Sequence, residues 1–309
     1  MKAYNKLVYF FTVPYFKVKI FMIKICSSIG FCFGVKRAVE KAENIKKENP
    51  TLNCYTFGSL VHNEKVVKSL EEKGIICINN LDEAENGFLI IRSHGVNPKI
   101  IDEAKSRGFE VIDSTCPFVK KIHNIVNNLR EKKIPVVIIG KEEHPEIQGI
   151  IGYAGDNCFV INSVDEVDNL PILNEAGVVV QTTKIKSEYI SIVTELVNKI
   201  RVLHIYNTIC SETIKRQLDS YNLAKESDIV FVVGGKHSSN TAKLFEISKK
   251  VCSKTYKIED SSELDVNVLQ NIKKDSVIGL ISGASTPIEE IFDIRDKINK
   301  HITKNMQKY

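Results

Sequence analysis

Three stretches of this 309-residue chain read alike. Residues 75–86 are IICINNLDEAEN, residues 158–169 are CFVINSVDEVDN and residues 256–267 are YKIEDSSELDVN. Each is a short β-type run that gives way to a helix start rich in Asp and Glu. A period of about 90 residues is too long for a solenoid turn and suits a small α/β domain. Three such domains are expected, with Cys32, Cys116 and Cys210 at the same place in each.

Within each repeat, apolar strand-like runs alternate with helix-like ones, the pattern of a mostly parallel α/β sheet. The expected boundaries are 22–115 (with Cys32), 116–201 (Cys116) and 202–309 (Cys210). Residues 1–21, MKAYNKLVYFFTVPYFKVKIF, read as an N-terminal extension. Pro14, Lys17 and Lys19 interrupt them too soon for a membrane span, and no small-residue cleavage site follows. Strand-like runs such as FLIIRS (88–93), VVIIG (136–140) and VIGLIS (277–282) each lead into a polar loop and a helix. In parallel sheets such carboxyl-end loops form the ligand site.

Hydrophobic residues make up 43% of the chain and charged residues 26%, which is the balance of a soluble globular protein. The net charge of +5 comes with no nucleic-acid-binding motif; a basic face suited to an acidic electron-transfer protein or an anionic substrate is the functional alternative to a solvated lysine-rich surface. The eight cysteines contain no CxxC pair, which argues against a zinc ribbon or a thioredoxin-type dithiol. With no signal peptide, the chain reads as cytoplasmic, where thiols stay reduced and functional cysteines are ligands or nucleophiles. Cys54, Cys77, Cys158 and Cys252 lie in or beside apolar patterns and read as buried core thiols; the role of Cys26, outside the repeat, stays open.

Cys32, Cys116 and Cys210 each stand at the start of an amphipathic helix, in GFCFGVKRAVEKA, STCPFVKKIHNIV and TICSETIKRQLDS. A helix N-terminus presents free N–H groups and a partial positive charge, which favour thiolate. Thiolates select Zn, Cu(I) or iron–sulfur clusters. Structural zinc usually has four ligands supplied in close pairs, whereas these three are far apart in sequence without an obvious fourth. A 4Fe–4S cluster held by three cysteines fits better and keeps one iron open to act on a substrate oxygen. Gly30 and Gly34 would let the backbone approach it.

His62, His94, His144, Thr182, Thr183, Ser238, Ser239, Asn240 and Ser285 all fall in strand-end loops. Neutral donors and histidines in loops that open helices suit a phosphate or diphosphate, although any single Ser or Thr there also reads as an ordinary N-cap. Glu146, beside His144 and Pro145, is a candidate proton donor. His123, His204 and His301 lie outside the loops and are assigned no role.

GFCFGVKRAV, LVHNEKVV, RSHGV, DSTCPFV, HPEIQG, QTT, NTICSETIKRQ, GGKHSSNT and SGAS occur in order between residues 22 and 298. Together they resemble the 4-hydroxy-3-methylbut-2-enyl diphosphate reductase family, which closes the methylerythritol phosphate route to isoprenoids. The resemblance implies three α/β domains in a trefoil around one 4Fe–4S cluster on Cys32, Cys116 and Cys210. It implies diphosphate binding by His62, His94, His144, Ser238, Ser239, Asn240 and Ser285, with Thr182 on the substrate hydroxyl side, Thr183 adjacent, and Glu146 as catalytic proton donor. It also implies an external electron donor such as ferredoxin or flavodoxin. Lys141 and His237 depart from the family pattern, which often has His and Asn there. A triplicated α/β protein of the quinolinate synthase type shares three widely spaced cysteines, but the HPE, QTT and SSN loops favour the reductase.

Overall fold

The computed structural model describes residues 8–13, 16–270, 272–273 and 275–306, with side chains from residue 21 to 303 apart from those gaps. Strands β1 (Val8–Val13) and β2 (Phe16–Ile25) lead to α1 (Phe33–Glu48). Then come β3 (Cys54–Phe57), α2 (Glu64–Glu72), β4 (Ile75–Ile78), β5 (Phe88–Ile91), α3 (Pro98–Ser106) and β6 (Glu110–Asp113). The middle of the chain holds α4 (Pro117–Glu131), β7 (Val136–Ile139), α5 (Pro145–Ala154), β8 (Cys158–Ile161), β9 (Glu175–Val180), α6 (Lys186–Lys199) and β10 (Val202–Ile205). The last part holds α7 (Ser211–Lys225), β11 (Ile229–Val233), α8 (Ser239–Lys249), β12 (Thr255–Ile258), α9 (Val266–Gln270), β13 (Val277–Ser282) and α10 (Ile288–Met306). Among the described residues, no helix is long and apolar enough to cross a membrane.

The strands form three sheets with one shared plan. Their orders are β4-β3-β5-β6, β8-β7-β9-β10 and β12-β11-β13-β2, all parallel, with β1 added antiparallel at the outer side of β2. The fourth strand of each sheet, β6, β10 or β2, is the one that runs on to a cysteine of the repeat. The sheet of β11–β13 therefore takes its fourth strand from the N-terminal region, with Met22–Ile25 of β2 paired to Val277–Leu280 of β13. From the sequence, the strand before Cys32 reads as opening the first repeat. Its pairing lies instead with the third sheet, because a parallel ladder joins strands distant in sequence.

The chain divides into two compact units. One comprises Met1–Cys32, His62–Glu64 and Glu212–Tyr309; the other comprises Phe33–Val61 and Lys65–Ser211 and contains the two sheets built from β3–β10. In the first, Phe21, Ile23 and Ile25 of β2 pack with Phe231, Leu280 and the Ile291, Ile294, Ile298 and Ile302 stripe of α10. Val230, Val232 and Ile281 face the other way, onto Leu223 and Leu244. Both faces are thus covered, which is why these strands read as unbroken apolar runs. The N-terminal extension contributes to this core, since Phe21 is fully buried.

In the second unit, Ile122, Val126 and Leu129 of α4 close over Val136, Ile138 and Val179. Tyr55, Leu89 and Ile91 pack against Ala104 and Phe109. Cys54 and Cys252 are buried as expected, but Cys77 and Cys158 are half-buried. The latter two lie on β4 and β8, the edge strands of their sheets, where one flank stays open.

Candidate active site

Each cysteine of the repeat is fastened by its own backbone N–H to the loop that follows the third strand of its sheet. Cys116 N donates to Ser93 O (2.9 Å), Cys210 N to Thr182 O (3.1 Å) and Cys32 N to Ala284 O (2.9 Å). Ser93 precedes His94, Thr182 is itself a predicted substrate residue, and Ala284 precedes Ser285. A thiol-bearing turn and a polar turn are therefore stitched together three times over, by the same bond in the same place.

In the unit containing Cys116 and Cys210, helix α4 starts at Pro117, whose missing N–H costs nothing at the first helical position. Cys116 is the N-cap but its side chain accepts no cap bond. Gly34 of α1 lies so near that a Cβ there would stand 2.7 Å from the Cys116 sulfur. Only glycine permits that approach, and Gly34 is two residues beyond Cys32 in the chain. Arg37 Nη1 donates to Thr115 O (3.1 Å) and Lys41 Nζ to Asp113 O (3.1 Å), holding the turn before Cys116 from α1. The Cys210 turn is held through Thr208, whose hydroxyl accepts from Val180 N (2.8 Å) and donates to Val180 O (2.5 Å).

Glu146 is 1% exposed and sits at the start of α5. Its two carboxyl oxygens accept from Thr182: Oε1 from the backbone N–H (2.7 Å) and Oε2 from the hydroxyl (2.6 Å). Burial raises its pKa above the ordinary glutamate value, while the two bonds from Thr182 pull the other way. Burial favours the protonated form of a carboxyl, and a buried carboxyl beside a hydroxyl is placed to act as a proton donor. His144 caps α5, with Nδ1 accepting from Glu146 N (3.1 Å). That bond makes Nδ1 an acceptor, so in the neutral ring the proton is on Nε2. The ring of His94 lies edge-on to that of His144, with centroids 5.4 Å apart.

In the other unit, Ser285 Oγ donates to His62 O (3.1 Å). The same carbonyl lies 2.1 Å from where a Cβ on Gly235 would be, so glycine is required for the His62 segment to seat. Ser238 caps α8, accepting from Thr241 N (3.3 Å), and Ser239 and Asn240 form its first turn. Asn240 is buried, and its Nδ2 donor has no partner among the described residues. A buried unsatisfied amide at a helix start fits an anion acceptor. Thr183, beside Thr182, is half-buried.

The donor set fits an iron–sulfur group. Cys32, Cys116 and Cys210 are half-buried and none of the chain's cysteines is in a disulfide. Cys26 is not a comparable donor: it is buried, and burial pushes its thiol up to about 11, so it stays protonated in the core. His123 is buried and stacked on Tyr153 at 4.1 Å, and burial pushes its pKa down to about 4, so it stays neutral. His204 is paired with Glu175 at 2.7 Å on β10. Two side chains that matter to the site, Arg37 and Arg216, were not singled out by sequence reasoning. Basic residues on amphipathic helices read as solvated, and each of these two holds a cysteine turn remote from it in sequence, Arg37 the one before Cys116 and Arg216 the one before Cys32.

Comparison with known proteins places this geometry. The 4-hydroxy-3-methylbut-2-enyl diphosphate reductase of Caldanaerobacter subterraneus subsp. tengcongensis is 44% identical over 280 residues, covering 89% of this chain and 96% of its own length. The enzyme of the same name from Clostridioides difficile is 42% identical over 275 residues, covering 87% and 97%. Among solved structures, the E-1-hydroxy-2-methyl-but-2-enyl-4-diphosphate reductase from Plasmodium falciparum superposes with a TM-score of 0.82 at 30% identity, over 89% of this chain and 87% of its own. A structure of (E)-4-hydroxy-3-methyl-but-2-enyl diphosphate reductase, the terminal enzyme of the non-mevalonate pathway, gives a TM-score of 0.67 at 34% identity, over 90% and 99%. The family model described as LytB protein matches residues 23–299, from the strand that leads to Cys32 through to the final helix, and the chain belongs to that family.

Proposed function

We propose that this chain is a 4-hydroxy-3-methylbut-2-enyl diphosphate reductase, converting its substrate to isopentenyl and dimethylallyl diphosphate in the cytoplasm. The observation that carries the reading is the buried Glu146–Thr182 pair, with Cys210 N bonded to the carbonyl of that same Thr182. It sets a proton donor and a thiolate turn on one residue.

The reaction takes up two electrons and two protons; the allylic C–O bond breaks, a C–H bond forms and water leaves. Cys32, Cys116 and Cys210 would hold a 4Fe–4S cluster, which when bound supplies the electrons, received from an external carrier such as ferredoxin or flavodoxin, and a Lewis-acidic iron. Three domains, approximately 22–115, 116–201 and 202–309 except that β2 joins the sheet of β13 and β10 that of β9, would contribute one cysteine each in a trefoil. His62, His94, His144, Ser238, Ser239, Asn240 and Ser285 bind the diphosphate, with the positive end of the α8 dipole beside them. Fixing the diphosphate orients the hydroxyl end and excludes water.

For the transfer the Thr182 hydroxyl, which donates to Glu146 Oε2 in the resting site, turns toward the departing hydroxyl, and Glu146 gives its proton to Thr182 Oγ1 as the threonine proton passes on. Thr183 lines the same turn. The allylic fragment, having gained the two electrons, takes the reaction's second proton at either end, which gives the two products. The test is anaerobic turnover of the hydroxylated allylic diphosphate with a reduced viologen, products separated by chromatography. Formation of both diphosphates with loss of one oxygen is expected; an iron-loaded sample that leaves the substrate untouched refutes the assignment.

A further inference from the structure

Helix α7 carries an arginine whose charge sits inside the protein. Arg216 is 3% exposed, and its fork reaches three carbonyl oxygens: Nη1 donates to Ser28 O (3.0 Å) and Ser282 O (3.1 Å), and Nη2 to Gly30 O (2.8 Å). Nε has no partner among the described residues. The placement is specific. Cys32 N bonds Ala284 O, and the arginine grips the chain two residues upstream on each side of that bond, at Gly30 and at Ser282. Gly30 is held further by its own N–H to Ser282 Oγ (3.1 Å), with a φ of 74° that glycine adopts without strain. One residue past Ala284, Ser285 holds the His62 carbonyl. The same guanidinium thus fixes the turn that bears Cys32 and the turn that bears a diphosphate residue.

A buried cation bound only to carbonyls is costly unless a negative group stands nearby. Burial pushes the guanidinium below the ordinary arginine range, and its bond to the Gly30 carbonyl, two residues before Cys32, sets its positive charge against the turn that bears that thiol. Asp219 lies in the polar network around the neighbouring Ser27 and Ser28, accepting from both hydroxyls and from Lys215 Nζ (3.4 Å). A lysine concentrates its charge on one nitrogen and cannot reproduce the two-nitrogen fork that holds these three carbonyls.

We propose that Arg216 is a positioning residue for the reductase: it locks the Cys32 turn to the Ser285 turn and supplies the fixed positive charge that stabilises the thiolate-held group at Cys32. The inference rests on the function proposed above. It goes beyond it in separating two duties of one side chain, geometry and charge.

The experiment compares Arg216→Lys, Arg216→Gln and Asp219→Asn with the parent, each purified anaerobically. Readouts are iron and sulfide content, midpoint potential by optical redox titration, KM for the allylic diphosphate, and amide hydrogen exchange of residues 28–34 and 282–286 in the metal-free chains. Arg216→Lys keeps the charge and loses the fork, so KM rises at least tenfold and exchange in both turns accelerates while the potential stays near the parent's. Arg216→Gln loses both, so the potential falls, or the cluster is not retained. Asp219→Asn removes a negative charge from the same network, so its potential rises. Potentials of Arg216→Gln and Asp219→Asn that both match the parent's overturn the charge role. Unchanged KM and unchanged exchange in Arg216→Lys overturn the positioning role. If the parent itself holds no iron or leaves the substrate intact, the proposed function fails, while the exchange measurement still decides whether Arg216 locks the two turns.

Discussion

Replacing Glu146 by Gln removes a proton and little else. The amide oxygen can still accept from Thr182 N, as the carboxyl Oε1 does at 2.7 Å, and the amide nitrogen can donate to Thr182 Oγ1, reversing the 2.6 Å bond that the hydroxyl now donates. At 1% exposure the side chain is shielded from bulk water. General acid catalysis by a positioned side chain contributes about 10²–10⁴ in rate, or roughly 3–5 kcal/mol of barrier. Turnover of Glu146→Gln with reduced viologen is therefore expected to fall by about that factor, with KM within about threefold and iron content unchanged.

The pH dependence adds a second reading of the same variant. Burial raises the Glu146 pKa, so the native state binds a proton more readily than the unfolded chain. The stability that goes with this is full below the unfolded glutamate value and is lost as pH rises through the folded one. Glu146→Gln should gain on the parent in thermal unfolding as pH rises across that interval, and should lack the alkaline limb of the rate profile. Parental turnover in Glu146→Gln refutes the proton-donor role.

Gly34→Ala puts a methyl 2.7 Å from the Cys116 sulfur, and iron content after anaerobic reconstitution should drop several-fold while the chain still folds by circular dichroism. Gly235→Ala drives a Cβ into the His62 carbonyl at 2.1 Å, so KM for the diphosphate should rise tenfold or more with kcat less affected. His123, at about 4 against an ordinary 6.5, is neutral in the fold, so its contribution is present above pH 6.5 and is lost as pH falls through 4. That gap corresponds to about 3 kcal/mol of acid destabilisation, to be read from urea unfolding of the parent and absent from the slope of His123→Asn.

The triplicate plan was legible because apolar runs such as VVII (136–139) are buried on both faces and alternate with helices, although the acidic helix starts expected after the three repeated strands are only three-residue 3-10 turns at 81–83, 167–169 and 261–263. The polar loops were legible because they end those strands. What could not be read was which sheet each strand joins. FMIKI (21–25) looks the same whether it pairs with β3 or with β13, and only the long-range ladder decides. The half-burial of Cys77 and Cys158 follows from their edge position, again a property of strand order. Within the site, the Glu146–Thr182 pair joins residues 36 positions apart that the loop pattern had already selected. Arg216 escaped notice because a basic residue on a helix is buried only when carbonyls happen to face it, and Ser28, Gly30 and Ser282 come from remote parts of the chain.

The central claim is that Cys32, Cys116 and Cys210 jointly ligate one iron–sulfur cluster. Anaerobic purification of the parent and of the three single alanine variants, with iron and sulfide determination and a visible spectrum, measures it directly. The account predicts about four irons and four sulfides per parent chain and loss of most of that content, with bleaching near 400 nm, in each of Cys32→Ala, Cys116→Ala and Cys210→Ala alike. A folded parent without iron and sulfide, or a variant of any one of these three that keeps the parental content and spectrum, contradicts it.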